Sequence, residues 1–101
     1  MSTFFGGPQL AGIVIVQGTS DSASGAKYTC PAGRFAEVSV VYLNYVISGG
    51  SAELQVAGQA LDATIDYGKY FTLGAGASIT NNVGGLSTTS YYFTVKEYLI
   101  P

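Results

Sequence analysis

The side chains best equipped for chemistry are few in this chain and poorly grouped. It has no histidine, which removes the commonest general acid–base group at neutral pH and excludes Ser–His–Asp and Cys–His arrangements. The one cysteine, Cys30, has Lys27 and Arg34 close in sequence, and cations held against a thiol lower its pKa. Cys30 nevertheless precedes Pro31 at the end of a strand pattern with no base beside it, and it reads as a buried structural thiol. Asp62 and Asp66 are the nearest approach to the carboxylate pair that glycosidases use. Their interval, Ala63-Thr64-Ile65, lacks the ligand spacing of a calcium loop, so they read as surface carboxylates. Zinc needs histidine or several cysteines. Gly74-Ala75-Gly76 is a fragment of a nucleotide-binding loop without the third glycine, the helix or the P-loop lysine. No catalytic, cofactor-binding or metal-binding residue is assigned, no cofactor is expected, and the chain is expected not to be an enzyme.

Eight tyrosines remain. Tyrosine combines a rigid contact surface with a polar tip, which suits protein interfaces and sugar binding alike. With no tryptophan in the chain, core and subunit interface are favoured over a carbohydrate platform. The charge count points the same way. Only 10% of residues are charged, against about 25% in a typical soluble domain. So few charges leave a surface of Ser, Thr, Gly, Asn and Tyr, or one covered by a partner, and we expect the partner. The net charge of -2 is spread singly, with no basic run to follow a nucleic acid or an anionic membrane. The opening MSTFFGGPQ has neither a basic nor an apolar signal region, and Ile13 to Val16 is too short to cross a bilayer. Synthesis in a cytoplasm is expected.

The elements that must hold these residues are strands. No window shows helical spacing of apolar residues, whereas β-branched and aromatic runs alternate with Gly, Asn, Ser and Asp clusters. At 101 residues one core is expected, with a nine-residue N-terminal arm (1–9) and a single domain over 10–101. Strands are expected at Leu10–Gln17, Ala26–Cys30, Phe35–Ile47, Ala52–Ala57 and Ser90–Ile100. A small-residue loop is expected at Gly18–Gly25, a hairpin through Ser48–Ser51 and a turn at Asn81–Gly85. Between these, 59–65 reads as extended or as one helical turn. In the long strand both alternating faces become apolar from Val40 onward, which predicts cover on both sides. The fold class is all-β, an antiparallel β-sandwich of jelly-roll or immunoglobulin-like type.

Two stretches carry a resemblance. Cys30-Pro31-Ala32-Gly33-Arg34 leads into Phe35-Ala36-Glu37-Val38, and Ser90-Tyr91-Tyr92-Phe93-Thr94-Val95-Lys96-Glu97-Tyr98-Leu99-Ile100-Pro101 comes last. Over roughly residues 26–101 this resembles small virion structural proteins of tailed bacteriophages and cyanophages. The resemblance implies a homotrimer on the particle: a capsid cement or decoration protein, a head knob or a fibre tip. It further implies partnership with itself and with the major capsid or other virion proteins. The expected interface takes in Phe4, Phe5, Val41, Leu43, Tyr45, Tyr91 and Tyr98. The second reading is a fibre or knob tip that binds a host receptor or glycan through Tyr67, Tyr70 and the loop Asn81–Gly85.

Overall fold

The computed structural model describes residues 9–63, 66 and 68–100. Eight strands follow in chain order: β1 (Gln9–Asp21), β2 (Gly25–Thr29), β3 (Arg34–Val46), β4 (Ala52–Val56), β5 (Gln59–Ala60), β6 (Tyr70–Leu73), β7 (Ser78–Val83) and β8 (Thr88–Leu99). They form two four-stranded sheets, ordered β1-β8-β3-β6 and β2-β7-β4-β5. Every pairing is antiparallel, and the chain is all-β, as its alternation predicts. Among the described residues there is no helix long and apolar enough to cross a membrane. The expected arm falls outside the described residues except for Gln9, which already belongs to β1.

The two sheets meet through the inward members of each alternation. Val16, Ala36, Val38, Val40, Leu73, Phe93 and Val95 come from the first sheet, and Leu54, Val56 and Ile79 from the second, with Cys30 and Leu61 sealing the ends. Burying such residues contributes about 1.5–3 kcal/mol for each large side chain.

Three local expectations are corrected. The first concerns the long strand. A register irregularity between Val40 and Tyr42, against β8, adds one residue to β3, and an extra residue reverses which face every later side chain takes. Ala36, Val38 and Val40 point inward before it and Leu43 after it, so Tyr42, Asn44 and Val46 turn outward. A bulge, not a covered second face, makes both alternations apolar.

The second correction is the hairpin at Ser48–Ser51. β3 and β4 lie in different sheets, and the segment is an arch between them. Its polar groups are satisfied by the neighbouring arch that joins β7 to β8. Leu86 N–H donates to Ser48 O at 2.7 Å and Gly84 N–H to Ser51 O at 2.8 Å, while Ser87 Oγ accepts the Ser48 N–H at 2.9 Å. Only β4 and β5 are joined within one sheet; all other connections cross.

The third concerns Asn81–Gly85 and Gly18–Gly25. Asn81, Asn82 and Val83 continue β7 and the turn follows them. Asn81 is fully buried, because its amide donates to the carbonyls of Asp21 at 3.4 Å and Ala23 at 3.1 Å and so closes the β1–β2 turn. β1 likewise runs on to Asp21, paired with Thr89, so the expected loop shrinks to residues 22–24.

Candidate functional site

The two outer surfaces of the sandwich differ in kind. On the β2-β7-β4-β5 sheet, outward positions are Glu53, Gln55, Ser78, Thr80 and Asn82, a polar face that suits water. On the β1-β8-β3-β6 sheet they include Leu10, Ile13 and Ile15 of β1, Phe35, Tyr42 and Val46 of β3, Tyr92 and Tyr98 of β8, and Tyr70 of β6. Ile13 is 61% exposed and Tyr70 69%. Its charges, among the described residues, are Lys96 and Glu37, register partners across β8 and β3. The apolar residues align in cross-strand rows. Leu10 opposes Tyr98, and Tyr98 opposes Phe35, on which its ring stacks with centroids 5.2 Å apart. The one outer face is thus rich in exposed apolar and aromatic residues and the other polar.

At one end of that face both neighbours of β8 are irregular at the same level. β3 carries its bulge between Val40 and Tyr42, and β1 loses register between Gly18 and Asp21. The result is a groove of about 470 Å³ lined by Gln17, Gly18, Thr19, Val41, Tyr42, Ser90, Tyr91 and Tyr92. Gly18 is required there, since a Cβ on it would lie 2.7 Å from the Tyr91 ring. Beneath the groove the Tyr91 hydroxyl donates to Asp21 Oδ2 at 2.7 Å, and Lys27 Nζ pairs with the same oxygen at 3.0 Å. Burial alone would raise the Asp21 pKa, but Tyr91, the Ala23 N–H and Lys27 hold it below the usual value. Burial and the facing carboxylate push Tyr91 upward.

At the opposite end lies a buried polar cluster that sequence reasoning missed. Glu97 occupies an inward position of β8 and is 5% exposed. It accepts a hydrogen bond from Arg34 Nη1 at 2.6 Å and another from the Tyr28 hydroxyl. The Tyr28 hydrogen bond, opposed by burial and aided by Arg34, holds Glu97 below the ordinary glutamate value. Burial and Glu97 push Tyr28 upward. The one signal in the sequence was a glutamate in the same alternation as Tyr91, Phe93 and Val95.

Cys30 sits beside this cluster, buried, its thiol directed at the carbonyls of Arg34 at 3.5 Å and Pro31 at 3.8 Å. Burial first, then the Glu97 charge, raises its pKa, so the cations flanking it in sequence do not activate it. The native thiol will resist an aromatic disulfide reagent at neutral pH and react fully only in denaturant. Rapid native labelling would show that the thiol is reached without unfolding.

The remaining expected residues separate in space. Val41 and Tyr98 stand on the outer face, whereas Leu43 and Tyr91, 3% and 4% exposed, belong to this chain's own core and offer a partner nothing. Tyr45 is also turned inward: its hydroxyl donates to Leu61 O at 2.7 Å and accepts from Leu54 N–H at 2.9 Å, tying the sheets together. The bulge moved Leu43 and Tyr45 inside. Phe4, Phe5 and Tyr67 lie outside the described residues. Of the residues suggested for a tip, Tyr70 is on the outer face and Asn81 is inside, while Asn82 and Gly85 are exposed. Asp66 is engaged locally: its carboxylate accepts the Asp62 N–H at 2.7 Å and pairs with Lys69 at 3.2 Å. Gly74–Ala77 is a turn closed by Ala77 N–H on Gly74 O at 3.0 Å. Comparison of the chain with protein-family models, with curated proteins and with solved structures finds no match, so the face and its groove are read from their own geometry.

Proposed function

We propose that the protein is a non-enzymatic structural subunit that assembles with copies of itself through the outer face of the β1-β8-β3-β6 sheet. The observation that carries this reading is the contrast between the two outer faces, one polar and one apolar and aromatic, in a chain with 10% charged residues. Covering Leu10, Ile13, Ile15, Phe35 and Tyr98 removes apolar surface from water, the main driving force for association.

The strand order also supports placing the sandwich among jelly rolls rather than immunoglobulin-like folds. Eight strands in the orders β1-β8-β3-β6 and β2-β7-β4-β5, with nearly every connection crossing between sheets, match the doubled Greek key of that architecture. Jelly rolls recur in viral capsid and lectin domains, although a fold alone does not fix a function. Together with the resemblance of residues 26–101 to phage virion proteins, this favours a homotrimeric cement or decoration subunit of a virus particle. Cyclic trimers suit the three-fold positions of an icosahedral shell, and many modest contacts give such a shell large avidity.

Light scattering coupled to size exclusion tests the reading. The purified protein is expected at three times its 10.4 kDa chain mass, and Ile13→Lys with Ile15→Lys is expected to give a folded monomer. A wild-type monomer at high concentration, or a trimer indifferent to both lysines, would overturn assembly through this face.

A further inference from the structure

We propose that the groove at the bulged end of the outer face is a binding site for a neutral, hydroxyl-rich ligand of the saccharide class. This goes beyond the assembly reading, whose apolar rows lie toward the other end of the same face.

Four features converge on the groove. β8 runs between two irregular strands at the level of Ser90 to Tyr92, with β1 disturbed between Gly18 and Asp21 and β3 between Val40 and Tyr42. Bulges recur beside functional sites because they re-aim side chains and break the regular surface. Ser20 lies within the β1 irregularity at a φ of 48°, costly for a residue with a Cβ, and Ser90 Oγ accepts its N–H at 3.0 Å. The volume, about 470 Å³, is of the size that holds small ligands. The lining, finally, is selective in its chemistry.

Among the described residues no charged side chain lines the groove, which disfavours phosphate, sulfate or carboxylate ligands. Tyr42 and Tyr92 face each other across β3 and β8, with Gln17 opposite Tyr92 on β1. These place aromatic surface beside an amide, the pairing that receives the C–H face and hydroxyl edge of a pyranose. The Gln17 and Thr19 side chains are exposed and Tyr92 is half-buried, so the amide and the two hydroxyls can be reached by a ligand. A purely apolar occupant would leave such groups unpaired if it covered them, at a cost of about 1–3 kcal/mol each. A sugar hydroxyl satisfies them.

The test is a titration of the intact protein with neutral trisaccharides (maltotriose, cellotriose and chitotriose), followed by backbone and tyrosine-ring chemical shifts. Saturable shifts are expected at Gln17, Thr19, Tyr42, Ser90 and Tyr92 with at least one sugar. Tyr92→Ala is expected to weaken binding about tenfold and Gln17→Leu about fivefold. Tyr92→Phe, which keeps the ring, should lose only about threefold. Gln55→Ala, on the outer face of the other sheet, should change nothing. Silence with every sugar overturns the proposal, as do shifts centred on Gln55 or tighter binding of a sulfated trisaccharide. Groove residues sequestered between copies in the trimer would also overturn it, while leaving the assembly reading intact.

Discussion

Gly85→Ala will unfold this protein more readily than almost any other single methyl addition. Gly85 sits in the β7–β8 arch at a φ of 63°, and a Cβ built there would come within 2.1 Å of Gly49 O in the β3–β4 arch. Across the same contact, a Cβ on Gly50 would lie 2.3 Å from Gly84 O. Backbone meets backbone, so no side chain can swing aside. The two arches are also hydrogen-bonded to each other through Ser48, Ser51, Gly84 and Leu86, and separating them would orphan those groups. Backbone strain and overpacking together cost about 3 kcal/mol or more, which lowers the melting temperature of a domain this size by about 12 °C or more. Two companion variants separate the causes. Gly50→Ala has the clash without a positive φ, and Gly49→Ala has a φ of 66° with nothing within 4 Å of the new Cβ. Thermal or urea unfolding should rank the losses Gly85→Ala above Gly50→Ala above Gly49→Ala. Equal and small losses would mean that the arches part without cost.

Removing the cation from the Glu97 cluster is expected to be the next most damaging change. Arg34→Met leaves a carboxylate on the core side of β8 with only the Tyr28 hydroxyl to oppose it. Breaking a buried pair from one side costs about 3–5 kcal/mol, and the partial exposure of Arg34, 35% of its side chain, places this case at the lower end. The loss should shrink as the pH falls, because protonation relieves the stranded charge. In the wild type the sign is opposite. Glu97 and Asp21 are both held below their ordinary values in the folded state. Their contribution is therefore fully present only above the ordinary carboxylate values, at about pH 5 and higher, and is lost progressively as the pH falls through the lower folded-state values. Glu97→Gln should flatten the acid side of the stability profile. Urea midpoints measured from neutral pH downward will show it, and identical slopes for wild type and Glu97→Gln would remove Glu97 from the acid response.

In the proposed assembly the rows built on Leu10, Ile13, Phe35 and Tyr98 would meet neighbouring copies, while Gln17, Thr19, Tyr42 and Tyr92 gather toward the end where the bulges lie. Both rest on β8, whose inward residues form the spine of the core and whose outward residues supply Tyr92 and Tyr98. A subunit of a shell would thus offer one end of a single sheet to its neighbours and the other to ligand.

The sequence by itself determined the class of fold and most of its strands. Alternation of period two, β-branched and aromatic residues, and glycine clusters act over a few residues, so Leu10–Gln17, Phe35–Ile47 and Ser90–Ile100 were legible as strands. The absence of histidine is likewise a fact of composition. What the tertiary structure alone decided is which way side chains point after a break in that alternation, and which strand each one meets. One added residue at Val41 turned Leu43 and Tyr45 inward and set Tyr42 beside Tyr92, because the phase of a strand is carried forward from every residue before it. The same limit hid the arches: Ser48–Ser51 has hairpin residues, but the partners of its hydrogen bonds lie far along the chain, at residues 84–87. Glu97 looked like any surface glutamate until Arg34 and Tyr28 were folded against it. The groove exists only where three strands are placed side by side, and no property of any one of them encodes it.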